Sequence, residues 1–492
     1  MNTGKREYLW TVAPLALGAL LAIPVFLAGL VDDAYIHARI VEALVQTGQP
    51  TFNLGDTFKA SSSTGYIFLL AAMGTVFDTI FAMRLVEAAV IVSVFVLGAQ
   101  LVRQLEAHQA FAAFALLSGV PFVLLAAYGG METPIFVALM LGTALALRQD
   151  RFGLAVFLVA VAVWFRIETL LLLLLLLVWV LRQGQRIAVL WNAWPILVLF
   201  AIEFVLYGSI LPHAAGAKSL AYGHSYEASA KLALRFGTGK LWAGILLFGL
   251  LIARLVGVLK SRDFNGYADV FFAFSGGVLC AWMIGRSNLF TWYYPLVFIP
   301  FAIGLATMPS AGRVFRGVAL LVLATYLVLG GRTLLNGLGV TDTTANFRVA
   351  KYLDIGRTLY TACPDCSLVT SEIGGLGYGF RGRVYDGFGL ADPEALQFHP
   401  MSVPKQRASA FIGAIPPEYI KFRNPDFVVS MPVFTAAARE SGVLGGYTKH
   451  HCPFSADGSI SIFGDEGIDI FSKQPLPALT ITQLNCSGDS PT

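Results

Sequence analysis

Charge is what this chain of 492 residues has least of: Asp, Glu, Lys and Arg make up 13% of it, while 56% is hydrophobic. Soluble domains carry roughly 25% charged residues, so the shortage excludes an ordinary soluble protein over most of the length. It is also local. Long apolar runs recur through residues 1–340, whereas residues 341–492 read like a soluble domain with 12 basic and 15 acidic side chains. The first part holds 22 basic and 15 acidic residues, an excess that belongs to cytoplasmic loops of a membrane protein and not to a nucleic-acid surface. No internal repeat suggests duplicated halves, and no metal-ligand spacing stands out beyond one pair of adjacent aspartates. Cysteine is scarce as well. Of 5 cysteines, Cys280 lies in an apolar run and reads as a packed core thiol. Cys363, Cys366, Cys452 and Cys486 all fall in the tail, where an oxidising compartment allows disulfides. A structural bond is favoured over a redox or zinc Cys-x-x-Cys, with the pairing left open.

A spanning helix needs roughly 20 apolar residues. Candidates are 11–30, 80–102, 110–127, 132–147, 153–165, 169–181, 187–207, 241–259, 268–284, 292–308 and 314–329. The runs at 153 and 169 are short, separated by Arg166-Ile167-Glu168; a helical hairpin is preferred over one long helix, because Arg and Glu at mid-bilayer are costly. Lys5/Arg6, Arg103, Arg148/Arg151, Arg182/Arg186, Lys260/Arg262 and Arg313/Arg316 fall in alternate loops. They agree on a cytoplasmic N-terminus if residues 65–77, too short to span, lie in the outer interface. The run after Lys5-Arg6 is too long for a signal peptide and ends in Asp32-Asp33, so it reads as a retained first helix. The expectation is an α-helical polytopic membrane protein with about eleven spanning helices, a membrane domain over 1–340 and a mixed α/β domain over 341–492. Strands are expected at 367–370, 427–430 and 459–463, and helices at 344–361 and 433–440. The plasma (inner) membrane would hold the protein, with the active site and tail extracytoplasmic.

The densest polar cluster follows the first helix: Asp32-Asp33-Ala34-Tyr35-Ile36-His37-Ala38-Arg39. On a helix, Asp32, Tyr35 and Arg39 share one face, and Asp33 and His37 another. Adjacent carboxylates raise each other's pKa unless a cation intervenes. One suits a general base toward a hydroxyl, the other an orienting or cation-binding group; helix capping is the competing reading. Basic groups at the same face, Arg166, His213, Lys218 and Arg286, would form a phosphate pocket if they converge, and read as snorkelling anchors if they do not. Trp292-Tyr293-Tyr294 reads as an interfacial belt, with sugar lining as a second role.

These residues resemble a known family. Asp32-Asp33-Ala34-Tyr35-Ile36, Phe52-Asn53-Leu54-Gly55-Asp56 and Ser63-Thr64-Gly65-Tyr66 follow the order of the first outer loop of GT-C glycosyltransferases, nearest to the branch of mycobacterial terminal arabinofuranosyltransferases. Gly130-Met131-Glu132-Thr133-Pro134 is similar to that branch's Gly-Leu-Glu-Thr-Pro, and Arg166-Ile167-Glu168 to its Arg-Pro-Glu. Leu211-Pro212-His213 with Ala217-Lys218 is similar to its Leu-Pro-Asn and Ala-Lys. Glu372-Ile373-Gly374-Gly375-Leu376-Gly377-Tyr378 and Gly389-Leu390-Ala391-Asp392-Pro393 resemble its soluble-domain signature. His213 for Asn and Ile167 for Pro are the departures.

The resemblance implies an inverting membrane glycosyltransferase with a polyprenyl-phosphate sugar as donor and an extracytoplasmic glycan or protein as acceptor. Asp33 or Asp32 would be the base, and Arg166, Lys218, His213 and Arg286 would hold the donor phosphate. Tyr35, Arg39, Glu132, Tyr293 and Tyr66 would line the substrate. No cofactor is required; a divalent cation, held if anywhere by Asp32 and Asp33, is an open alternative. Arabinofuranose leads as donor sugar, with mannose or another hexose behind it. A transporter or flippase for a lipid-linked substrate is the rival from another class, disfavoured because ionisable residues gather at one membrane face. A structural or assembly protein is a third reading.

Overall fold

The structure is a computed structural model describing residues 3–105, 109–210, 213–222, 224–235, 237–261, 266–286, 289–308, 312–338, 344–401, 414–455, 459–462 and 464–488. Each apolar run expected to span is helical. Among the described residues six helices are long and apolar enough to cross a membrane: Thr79–Gln104, Gln109–Tyr128, Ile187–Tyr207, Leu241–Lys260, Tyr267–Ile284 and Arg313–Gly337. The shorter apolar helices Trp10–Phe26, Thr133–Arg148, Phe152–Phe165, Thr169–Arg182 and Thr291–Thr307 occupy the other expected segments. The break at Arg166 exists: its backbone is extended (φ −142°, ψ 108°), and the helices on either side pack against each other. Cys280 is half-buried, so it is less enclosed than a core thiol.

Residues 65–77 do yield a short helix, Thr64–Gly74, but its first turn is anchored in the bundle. The Tyr66 hydroxyl donates to Glu87 Oε1 (2.8 Å) and the Gly130 carbonyl (3.1 Å), while Thr64 and Lys59 both reach Glu203 on the Ile187–Tyr207 helix. Leu69 and, beyond the helix's far end, Val76 and Phe77 are exposed. Asp78 caps the next helix, accepting from the Ile80 and Phe81 amides at 3.0 and 3.2 Å.

The tail forms a six-stranded sheet in the order β2-β1-β3-β5-β4-β6. The strands are β1 (Ser367–Thr370), β2 (Arg383–Asp386), β3 (Phe427–Ser430), β4 (Thr448–Pro453), β5 (Gly467–Ser472) and β6 (Ser487–Gly488). β1 runs parallel to β2 and β3; the remaining pairs are antiparallel. Side chains alternate across the sheet. Leu368, Val384, Phe427 and Val429 pack with helices Thr344–Ala362 and Gly374–Phe380 on one face, and Val369 and Val428 with Pro417–Arg423 and Pro432–Glu440 on the other. The strands expected at 367–370 and 427–430 are β1 and β3. The run from 459 supplies only an isolated bridge at Ile462, and Phe463 lies outside the described residues. Disulfides join Cys363 to Cys366 and Cys452 to Cys486.

The tail is docked on one end of the bundle by the segment after the first helix. Arg39 donates to the carbonyls of Phe52 (2.6 Å), Gly377 and Gly382 (2.6 Å) and to Asn53 Oδ1 (3.2 Å), with its guanidinium 4.5 Å from the Phe52 ring centre. Asn53 pairs like a strand residue with both backbone groups of Val384 on edge strand β2, at 3.0 and 3.1 Å. Asp56 takes an ion pair from Arg383 at 2.9 Å. Replacing Arg39 by Ala strips buried carbonyls of their donor, each worth roughly 1–3 kcal/mol. The R39A variant should lose several degrees of thermal midpoint in detergent and release the tail as a protease-accessible fragment; an unchanged digestion pattern would count against this docking.

Candidate active site

Asp32 and Asp33 open the helix Asp32–Thr47, and the fold gives them different tasks. The residue preceding that helix is Val31, and neither aspartate caps it. Asp32 instead caps a helix of the other domain: its Oδ2 accepts from the Gly374 amide (3.0 Å) and its Oδ1 from the Gly375 amide (2.8 Å). Those amides start the helix Gly374–Phe380, where free N–H groups favour a carboxylate. The approach is so close that a Cβ at position 374 would sit 1.9 Å from the Asp32 carbonyl oxygen, which only glycine permits. Burial, then the charge of Glu372, push the Asp32 carboxyl up to about 7 against the Gly375 amide.

Asp33 is partly open. Its nearest cation is Lys218 Nζ, 3.9 Å from Oδ2, carried by the helix His213–Tyr222. Lys218 also donates to the Tyr293 hydroxyl at 2.9 Å and lies 4.9 Å from the Phe290 ring centre. Burial opposes the lysine charge, but the Tyr293 oxygen and Asp33 outweigh it and hold its pKa above the ordinary value. Behind them stands Arg166, buried, with one terminal nitrogen on Glu132 and the other on Glu168, each at 2.7 Å. Its guanidinium lies 4.6 Å from the Tyr293 ring centre. A continuous chain therefore runs from the two glutamates through Arg166 and Tyr293 to Lys218 and Asp33.

Asp33 and Lys218 face a cavity of about 490 Å³ between the end of the bundle and the tail. The bundle contributes Val31, Ile36, Tyr128, Trp292, Thr333 and Asn336; the tail contributes Arg348, Ser371, Glu372, Asp386, Phe388 and Phe434. A smaller recess on the far side of Asp33 is bounded by His37, Ser61, Glu132, Arg166 and Tyr293. His37 lies one turn after Asp33, its pKa lowered by burial and its Nδ1 without a hydrogen-bond partner.

The expected set thus divides. Asp32, Asp33, Lys218, Arg166, Glu132 and Tyr293 come together. Arg166 does so with its two terminal nitrogens on glutamates and its Nε buried without a hydrogen-bond partner. Arg286 is apart from the cavity, donating to the His224 carbonyl at 2.6 Å and lying against Tyr226. The side chain of His213 lies outside the described residues. Tyr35 packs on Tyr378, with ring centres 5.4 Å apart, beside a separate pocket. Arg39 docks the tail, and Tyr66 is fully buried on Glu87, so neither lines the cavity. Both Asp32 oxygens already accept amides, so a cation shared with Asp33 would have to use the lone pairs that remain. Among the described residues no group of three or more His, Cys, Asp or Glu side chains could hold a metal ion. Arg348, Glu372 and Asp386 carried no role in the sequence reading. Glu372 stood inside a noted motif, but nothing in its spacing places it beside Asp32.

The chain is similar in structure to ArnT from Cupriavidus metallidurans in the apo state, with a TM-score of 0.52 over 96% of this chain and 99% of that one, at 13% identity. The chain shares the fold of that structure. At that identity the likeness carries the architecture alone. No protein-family model and no curated protein matches the sequence.

The raised Asp32 carboxyl has a pH consequence. Between about pH 4 and 7 the native state binds a proton that the unfolded chain has released, so stability falls as pH rises through that window, by roughly 4 kcal/mol at most. Thermal midpoints of the detergent-solubilised chain should decline from pH 5 to 7, and Asp32→Asn should flatten that slope while Asp33→Asn keeps it. An equal slope in wild type and Asp32→Asn would refute the assignment.

Proposed function

We propose that the chain is an inverting membrane glycosyltransferase that moves a sugar from a polyprenyl phosphate to a hydroxyl of a glycan or protein acceptor. The observation that carries this reading is Asp33, partly open and 3.9 Å from Lys218, in a cavity between the apolar bundle and the tail. A lipid-linked donor needs a site that touches both hydrocarbon and water, and this cavity lies where the apolar bundle meets the tail. Asp33 removes the proton from the acceptor hydroxyl, whose oxygen attacks the anomeric carbon. The bond to the phosphate oxygen breaks with inversion, and the proton rests on Asp33. Lys218 meets the charge that develops on the leaving phosphate, pre-oriented by Tyr293 and through it by Arg166. Asp32 holds the two domains in register instead of taking the proton.

The plasma membrane is the expected location, with this end facing outward. Arg148 bonds to the Gln104 carbonyl (3.2 Å) next to Arg103, so these basic loops meet at one end of the bundle, and the excess of basic residues in such loops marks the cytoplasmic end. Arabinofuranose is the leading donor sugar on the motif resemblance, with mannose and other hexoses as the alternatives. The test is a panel of polyprenyl-phosphate sugars offered to the purified chain in lipid nanodiscs, with lipid phosphate and sugar products measured. One donor should be consumed and give the opposite anomeric configuration. Asp33→Asn should cost about 10²–10⁴-fold in kcat, and Lys218→Ala about 10²–10³-fold, with thermal midpoints preserved. Transfer by Asp33→Asn at the wild-type rate would overturn the base assignment.

A further inference from the structure

The tail's contribution to the cavity is the least explained part of the site. The carboxyl ends of the parallel strands face it. Ser371 and Glu372 follow β1, Asp386 ends β2, and Phe434 comes just after β3. In the order β2-β1-β3, the chain leaves β1 for β2 on one side and returns to β3 on the other. In open α/β sheets the crevice at such a reversal, outside the carboxyl ends, is where ligands sit.

Glu372 is the group at this crevice with capacity to spare. It is 8% exposed, and its Oε1 accepts from Arg348 at 3.1 Å. Its Oε2 is buried with no hydrogen-bond partner. A buried carboxylate oxygen left unsatisfied is costly, and native structures leave few of them. The other acidic groups of this wall are engaged: Asp32 by two amides of the Gly374–Phe380 helix, and Asp386 by the amides of Phe388 (2.9 Å) and Ala391 (2.8 Å).

The charge balance of the lining decides what would meet that oxygen. Asp33, Glu372 and Asp386, joined by Asp32 when it is ionised, oppose Lys218 and Arg348, and Arg348 is already paired. Once Lys218 has met the donor phosphate, the cavity has no cation for a second anion. It does have carboxylate acceptors beside the aromatic faces of Trp292, Phe388 and Phe434, a combination suited to sugar hydroxyls and the apolar face of a sugar ring. The geometry points to Glu372 as the acceptor-positioning residue, its Oε2 accepting a hydroxyl of a neutral polyhydroxyl acceptor, a glycan, so that a neighbouring hydroxyl is presented to Asp33. The inference rests on the transfer reaction proposed above and names its acceptor class.

The experiment uses the full chain in nanodiscs, the polyprenyl-phosphate sugar it consumes, and octyl glycosides of neutral mono- and disaccharides, including singly deoxygenated ones, as acceptors. Glu372→Ala should raise the acceptor KM about 10- to 100-fold and leave the donor KM in place, with Glu372→Gln intermediate. The wild type should discriminate against one deoxy acceptor, and Glu372→Ala should lose that discrimination. If Glu372→Ala fails to fold, Glu372→Gln, which can still accept from Arg348, answers the same question. Equal rises in both KM values, an unchanged acceptor KM, or a deoxy penalty that survives in Glu372→Ala would overturn the inference while the transfer reaction stands. So would wild-type transfer to phosphorylated octyl glycosides in preference to neutral ones. A wild-type chain that consumes no donor would instead remove the reading on which the inference rests.

Discussion

One carboxylate holds this molecule in its working shape. Asp32 stands at the head of a helix that belongs to the membrane domain and takes the first two amides of a helix that belongs to the tail, 342 and 343 positions further along the chain. The contact joins two folding units through a few atoms, and everything at the site is measured from it. It seats the carboxyl ends of β1, β2 and β3 over the end of the bundle. It encloses the cavity, and it removes Asp32 from competition with its neighbour. Arg39, Asn53 and Asp56 reinforce the same joint from one helix turn and one loop away. The segment after the first helix therefore serves as a docking surface and, in the proposed transfer reaction, as the carrier of the base.

The electrostatics follow from that arrangement. Burial and the charge of Glu372 favour the proton on Asp32, against the pull of the Gly375 amide. Asp33 remains the carboxylate with both partial exposure and a nearby cation. The cation is not isolated either: Lys218 leans on Tyr293, and Tyr293 lies against Arg166, which two glutamates hold still. Arg166 is thus a distant support for the lysine. Its charge is more than offset by its two glutamate partners, so what it lends to the site is orientation. The glycosyltransferase reading needs this division, because a leaving phosphate calls for a cation that is not already neutralised.

The frame was legible in the sequence, because apolar runs of spanning length state their structure through composition alone. Each became a helix, including the broken pair around Arg166, where a charged triplet made a turn the cheaper outcome. β1 and β3 were legible from their β-branched runs; β2, β4 and β5 were not, since Arg383, Lys449 and Asp469 interrupt the apolar pattern and only sheet neighbours make those segments extended. At the site, the Asp pair, Lys218 and the Arg166–Glu168 turn stood out through local clustering at a membrane edge. What no local pattern reveals is pairing across several hundred residues. Arg39 and Tyr35 lie among reactive-looking neighbours yet serve docking and packing, whereas Arg348 in unremarkable tail sequence and Glu372 in a motif without an assigned role line the cavity. The difference between Asp32 and Asp33 is of the same kind: only the position of Gly374 gives Asp32 two amides to accept.

The measurement that bears most directly on this account is a cryo-electron-microscopy structure of the full chain in nanodiscs with a polyprenyl phosphate bound. The account predicts phosphate density in the cavity within hydrogen-bonding reach of Lys218, with Asp33 across from it, the lipid tail leaving toward the bundle, and the Asp32 contacts to Gly374 and Gly375 intact. Phosphate density away from Lys218, at Arg286 or at the opposite end of the bundle, would contradict it.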